Sequence, residues 1–221
     1  MQLPESTDFT DWLRRVFDHP VSYPAWHWAD DADTSEPTPS DCVKCLTRLF
    51  EEPEIASATY SDAQINQGLN FLVSHSCSNY AYCFIGSSVD WHPRQRGIRA
   101  IGTLFEKLFA RKCSDHLLHL DEPGANTLNS ICYMWWDIFP ACGHPASPSE
   151  IEAYDELLAV MQRILALDSL ACQESALHGL GHWQMYYPEV VRPAIEDFLA
   201  RAEMRQELRA YAEHAWHGYV Q

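Results

Sequence analysis

Apolar residues three and four positions apart recur in segment after segment of this chain, and they almost never alternate. That spacing lays one side of a helix against a core, whereas a strand would need a period of two. The longest stripe is Ile151, Tyr154, Leu157, Leu158, Met161, Ile164 and Leu165. Shorter ones run through Phe9, Trp12, Leu13 and Val16; through Cys42, Leu46, Leu49 and Phe50; through Ile65, Leu69, Leu72 and Val73; and through Ile98, Ile101, Phe105, Leu108 and Phe109. Leu128, Ile131, Cys132, Trp135, Ile138 and Phe139 are apolar over so wide an arc that their helix must be almost wholly surrounded. Only residues 79–84 have a strand-like flavour, and they are too isolated to make a sheet, so helix or loop is expected there. The pattern predicts an all-α chain, folded as a single domain over residues 1–221.

Local signals divide these stripes. Asp41 is the expected cap of the second stripe, and Ser61 with Gln64 reads as a capping box. Asn126 or Thr127 starts the wide-arc helix, Pro140 ends it, and Ser149 and Glu150 open the long periodic one. At 168–202, Asp168 and Ser169 offer cap oxygens to a helix that Pro188 terminates, because proline disfavours helical backbone in the residue before it. A second helix follows with Val191, Ile195, Phe198, Leu199 and Ala202 on its apolar side. This pair resembles a HEAT-type repeat unit, two antiparallel helices with a proline near the start of the second. The resemblance implies helical hairpins stacked as a short HEAT-like array, with an irregular bundle as the alternative. The stretch QGLNFL at 67–72 echoes SALHGL at 175–180, a short internal match in keeping with repetition. Gly179 and Gly181 lie inside a helix, where each costs about 1 kcal/mol relative to alanine, so a neighbouring backbone is expected to come close there. A last helix from 203 onward is expected to turn Met204, Leu208, Tyr211, Ala212, Ala215 and Tyr219 inward.

The chain is long enough to bury a full core, and 47% of its 221 residues are hydrophobic. Fifteen basic residues against thirty-one acidic ones give a net charge of -16. This opposes direct binding to nucleic acid or to an anionic membrane surface and favours a basic protein partner. The charge is uneven, with thirteen acids and four bases in residues 1–62 but six bases and one acid in residues 91–112. No apolar h-region opens the chain and no window is apolar for the length of a membrane span, which predicts a cytoplasmic protein. In that setting the eight cysteines are expected to be reduced, mostly buried thiols.

Three features could carry function. Residues 18–40 form an arm rich in proline, tryptophan and acid, too long for a simple connector. Its Trp26 and Trp28 either anchor it to the helical body or, with Asp30, Asp31, Asp33 and Glu36, present an acidic aromatic contact surface. Glu174, His178 and His182 are potential metal ligands at four-residue intervals on one helix, and His214 and His217 could join them. No HExxH and no repeated Glu-x-x-His accompanies them, and the nearby acids look scattered. Cys42 and Cys45 make a CxxC, but a zinc site needs a second pair, for which only Cys77, Cys83 and His75 offer themselves, and a redox site needs a βαβ frame. Trp91-His92 and Trp135-Trp136-Asp137 could line a pocket. There is no G-x-S-x-G, Walker A or GxGxxG, and no cofactor is expected. The reading favoured by these features is a noncatalytic, acidic protein-binding module of the immunity or antitoxin kind. The alternatives are a helical metal-dependent enzyme on the Glu174, His178, His182 face and a homodimer completed by the arm.

Overall fold

The computed structural model describes residues 8–141, 143–145, 147–201 and 203–220; among them the regular elements are helices, and no strand occurs. Helix α1 (Phe9–Phe17) starts where the Asp8 carboxylate accepts the N–H groups of Thr10 and Asp11 at 2.9 and 3.0 Å. The arm follows, with a single 3-10 turn at Trp26–Trp28. Helix α2 (Pro39–Glu51) is capped by Thr38 and not by Asp41. Pro39 occupies the first turn, where its missing N–H is no loss and its fixed φ suits a helix, so the element begins before Asp41. Asp41 instead accepts hydrogen bonds from the Thr38 hydroxyl at 3.0 Å and the Lys44 ammonium at 3.1 Å.

After the single turn α3 (Glu54–Ser57), helix α4 (Asp62–Val73) opens on the expected capping box. The Ser61 hydroxyl accepts the Gln64 N–H at 3.3 Å, and Gln64 Oε1 accepts the Ser61 N–H at 3.1 Å. A Cβ at Gly68 would stand 2.3 Å from Phe17 Cδ1, so a glycine there lets α1 lie on α4. Residues 79–84 run into a short helix, α5 (Tyr82–Ile85). Helix α6 (Trp91–Leu104) starts ahead of Pro93, passes through a π-helical turn at Phe105–Phe109 and ends as α7 (Ala110–Lys112).

The basic island lies on α6 and its continuation, and it faces the chain's own neighbours. Arg94 is buried and donates to the carbonyls of Val89 at 2.9 Å and of Phe84 and Ile85, each at 3.2 Å. Arg96 holds Glu51 with two hydrogen bonds of 2.7 Å. Arg99 holds Glu156 with bonds of 2.7 and 3.1 Å, and Lys112 reaches Asp62 at 2.6 Å. Exposed pairs of this kind each contribute about 0 to 1 kcal/mol. Their larger effect is to pair Arg96, Arg99 and Lys112 of the island with acids of neighbouring helices.

The second half contains α8 (Thr127–Ile138), α9 (Pro148–Leu165), α10 (Leu170–Trp183), α11 (Pro188–Leu199) and α12 (Gln206–Trp216). Helix α8 is less enclosed than its wide apolar arc predicts, with seven of twelve residues buried and Thr127, Ser130 and Met134 exposed along one side; the surrounded helix is α10, with eleven of its fourteen residues buried. It packs against α8, α9, α11 and α12. Its glycines make that possible. A Cβ on Gly179 would lie 2.6 Å from Trp136 Cγ on α8, and one on Gly181 would lie 2.5 Å from Val220 Cγ1. Val220 arrives there through the turn that ends α12. Gly218 sits at φ 78°, its N–H donates to the Ala215 carbonyl at 3.0 Å, and the Tyr219 N–H donates to the His214 carbonyl at 2.9 Å. This Schellman pattern reverses the chain. It sends Val220 inward and leaves Tyr219 73% exposed, against the inward position its spacing suggests, while Leu208, Tyr211, Ala212 and Ala215 are buried as expected. The buried residues from Trp12 to Val220 form one continuous cluster. No described helix is long and apolar enough to cross a membrane.

Overpacking at these two contacts should be costly. Gly179→Leu and Gly181→Leu are each expected to lower unfolding free energy by about 1 to 3 kcal/mol in urea denaturation. Unchanged midpoints for both would show that α8 and the Val220 turn can move away freely.

Candidate functional site

The arm and the histidine face are separate places in the structure. The arm is fastened along its length. Gln64 Nε2 donates to the carbonyls of Phe17 and His19 at 3.3 and 3.2 Å, Gln67 Nε2 to that of Pro20 at 3.3 Å, and the Tyr80 hydroxyl to that of Ser35 at 3.4 Å. Its two tryptophans divide the two roles between them. Trp26 anchors the arm: its ring stacks on His19 at 3.8 Å and meets Phe71 at 4.8 Å. Trp28 is 57% exposed and stands with Val21, Pro24 and the fully exposed Tyr23 along a groove of about 550 Å³, closed on its other side by Ala63, Asn66, Gln67 and Asn70 of α4.

The acids divide likewise. Glu36 accepts the Asn79 N–H at 2.5 Å, and Asp33 accepts the Ser35 N–H at 3.1 Å while facing Arg15 at 3.8 Å. The Ser35 hydroxyl and N–H hold the Asp33 carboxyl below its ordinary range. Asp30 and Asp31 are exposed. Beneath them His27 is buried among Trp26, Trp28 and Phe71, and burial, with His19 nearby, lowers its pKa.

On the other side of the molecule, the three ligand candidates of α10 do not act together. Glu174, only 1% exposed, turns to the 3-10 turn at Leu118–Leu120, where it accepts the N–H groups of Leu118 and His119 at 3.0 Å each and faces His119 Nδ1 at 2.6 Å. His178 and His182, one helical turn apart, meet Asp137 on the last turn of α8. His178 Nε2 is 2.9 Å from Asp137 Oδ2, His182 Nε2 is 2.9 Å from Oδ1, and the two Nε2 atoms are 3.2 Å apart. Among the described residues, this is the group of three histidine, cysteine or carboxylate donors close enough to hold an ion, all within 4.8 Å of one another.

Burial pushes the Asp137 carboxyl up, but hydrogen bonds from His178 and His182 outweigh it and hold the carboxyl well below the usual range. Behind His178, its Nδ1 lies 2.5 Å from the Tyr211 hydroxyl, itself 3.3 Å from that of Tyr133. Burial and the bond with Tyr133 keep the Tyr211 phenol protonated. In front, Asp137 and His182 line a cavity of about 830 Å³ walled by Trp136, Tyr154, Trp183, Met185 and Tyr186. His214 lines a different cavity with His119 and Tyr211, and His217 stacks on Tyr219, so neither joins the trio.

The role of Asp137 was missed because the histidines were matched with acids on their own helix. The available signal was an ionisable residue on a helix otherwise apolar almost all round, where a buried acid needs partners. The CxxC is inert in this setting. Burial, aided by the Glu36 charge, pushes the Cys42 thiol up to about 12, and burial pushes Cys45 up to about 11. A thiolate is the reactive form and neither environment favours it. Cys77, Cys83 and His75 do not assemble with the pair into a donor group, and Cys142 lies outside the described residues.

Trp26→Ala should cost on the order of 2 kcal/mol through lost burial, whereas Trp28→Ala should change stability by less than about 0.5 kcal/mol; chemical denaturation of both variants separates anchor from exposed ring. For His27, a folded pKa below 6.5 means that full stability is present above that value and is lost as pH falls through it toward the folded pKa. Melting temperature should therefore fall more steeply with acidification below pH 6.5 in the wild type than in His27→Phe; parallel curves would show that the arm does not register this proton. No family model matches this chain, and no curated protein or solved structure shows significant similarity to it.

Proposed function

We propose that this chain is a noncatalytic binding protein, a short HEAT-like helical array that recruits a basic protein through the groove between its arm and α4. The observation that carries the reading is the exposure of Val21, Tyr23 and Trp28 on a segment that is otherwise tied down. Large aromatic side chains held out on a fastened backbone lose little further freedom on binding and make strong anchors. Their surroundings fit a cationic partner, since Asp30 and Asp31 are exposed beside them in a chain of net charge -16 whose basic island is paired internally. Immunity and antitoxin proteins are likewise small and acidic, and on that likeness of charge and size we extend the proposal to their functional class.

The test is recovery of one basic protein at stoichiometric level from the native host, compared between the wild type and two folded variants, Tyr23→Ala/Trp28→Ala and Asp30→Asn/Asp31→Asn. The first should raise the off-rate. The second should lower the on-rate, most clearly at low salt, because the Debye length contracts from about 10 Å at 0.1 M to about 3 Å at 1 M. Retention of the same partner by both variants, or association insensitive to salt, would overturn the reading.

A further inference from the structure

We propose that Asp137, His178 and His182 bind one divalent transition-metal ion through His178 Nε2, His182 Nε2 and a carboxylate oxygen, with a coordination position left open toward the cavity. The site lies at the end of α8 remote from the arm groove, which Thr127 at its first turn lines. Ten residues of helix, about 15 Å, separate them, so the two proposals stand or fall independently.

Spacing is the first argument. An ion that holds nitrogen and oxygen ligands tetrahedrally at about 2.0 to 2.1 Å separates any two of them by about 3.3 Å. The two ring nitrogens lie 3.2 Å apart, each is 2.9 Å from its own oxygen of the Asp137 carboxylate, and one donor atom from each of the three residues lies within 4.8 Å of the others, close enough to surround one ion. Protons are the second. Without an ion, two ring nitrogens crowd one carboxylate and each other at hydrogen-bond distance; an ion accepts a lone pair from each of the three residues at once. Donor chemistry is the third. Two imidazoles and one carboxylate suit zinc or iron(II), whereas calcium and magnesium favour sites made of oxygen alone.

The surroundings are those of a supported ligand. A metal-bound histidine usually donates its second ring N–H to a fixed acceptor, which sets the tautomer and the ring plane. Tyr211 is placed to be that acceptor. With Nε2 on the ion, the His178 Nδ1–H would donate to the Tyr211 oxygen 2.5 Å away, and the Tyr211 O–H would turn to the Tyr133 oxygen at 3.3 Å. His178 is buried behind the site, while Asp137 and His182 stand on the cavity wall, so the uncoordinated side faces the cavity. Three protein ligands and one open position is the arrangement that lets an ion take a water or an exogenous ligand. The aromatic walls at Trp136, Tyr154, Trp183 and Tyr186 fit a small apolar or aromatic molecule carrying one donor atom.

The experiment uses the full, tag-free chain stripped with chelator and titrated with Co²⁺, whose visible absorption reports coordination number, and in parallel with Zn²⁺ and, anaerobically, Fe²⁺. One equivalent per chain with a four-coordinate cobalt spectrum that shifts on adding azide is expected, and the tighter of zinc and iron(II) identifies the preferred ion. His182→Ala should abolish stoichiometric binding; its side chain is 44% exposed, so the fold should survive, as circular dichroism can verify. Tyr211→Phe keeps all three ligands and should weaken binding about 10- to 100-fold. A folded wild type that takes up no equivalent of any of the three ions, or a His182→Ala variant that binds as tightly as wild type, would overturn the proposal.

Discussion

The contact between Gly179 of α10 and the indole of Trp136 on α8 governs the second half of the molecule. A side chain at Gly179 would meet Trp136 at 2.6 Å, so the absence of one sets how closely the two helices approach. That approach brings Cys132 within reach of the Ser175 hydroxyl, which donates to its carbonyl at 2.5 Å, and it puts Asp137 opposite His178 and His182. A position that weakens an isolated helix by about 1 kcal/mol therefore allows the contact that joins Asp137 to His178 and His182. Local propensity and tertiary packing disagree here, and the packing of a buried helix prevails.

Much of the fold was legible because helical periodicity is a local property. Each stripe needs only its own dozen residues, and the Ser61 and Gln64 capping box followed from the same local reasoning; so did a close approach at both glycines of α10, although side chains of Trp136 and Val220 fill the space where a backbone was expected. The errors fall where one residue overrules a pattern: Pro39 moves the start of α2, and Gly218 turns Tyr219 out of a stripe it would otherwise continue. The candidate site was half legible. His178 and His182 shared a helix face and could be paired on spacing, but Asp137 lies 41 residues from His178, and the partners of Glu174 lie 55 and 56 residues away. Such pairings depend on which helices touch, and that is decided by the whole core. The arm shows the same limit, since two tryptophans with a single residue between them have opposite fates and nothing local distinguishes Trp26 from Trp28.

Charge is arranged with a similar division. The bases of α6 and its continuation are matched to Glu51, Glu156 and Asp62 on neighbouring helices. These bonds add little stability individually, but they hold α2, α4 and α9 against one basic spine. One-to-one pairing leaves the net charge of -16 unchanged, and the long-range field it produces is independent of the local ligand geometry at Asp137.

The buried polar groups of α10 have one further consequence. Glu174 and Ser175 are neighbours and His178 lies one turn on, and each meets a different partner: backbone N–H groups of the 3-10 turn, a carbonyl of α8, a phenol of α12. Hydrophobic contacts alone specify the setting of α10 less sharply, because they are non-directional and scale mainly with the apolar area removed from water. These three polar contacts are directional. A rotation or a slide by one residue would strand a carboxylate, a hydroxyl and an imidazole in an apolar interior, at a cost of about 1 to 3 kcal/mol for each unsatisfied group and more for the charge. The polar set thus acts as a key: it adds little to how strongly the helices associate, and it fixes the angular setting of the central helix more sharply than its apolar surface does.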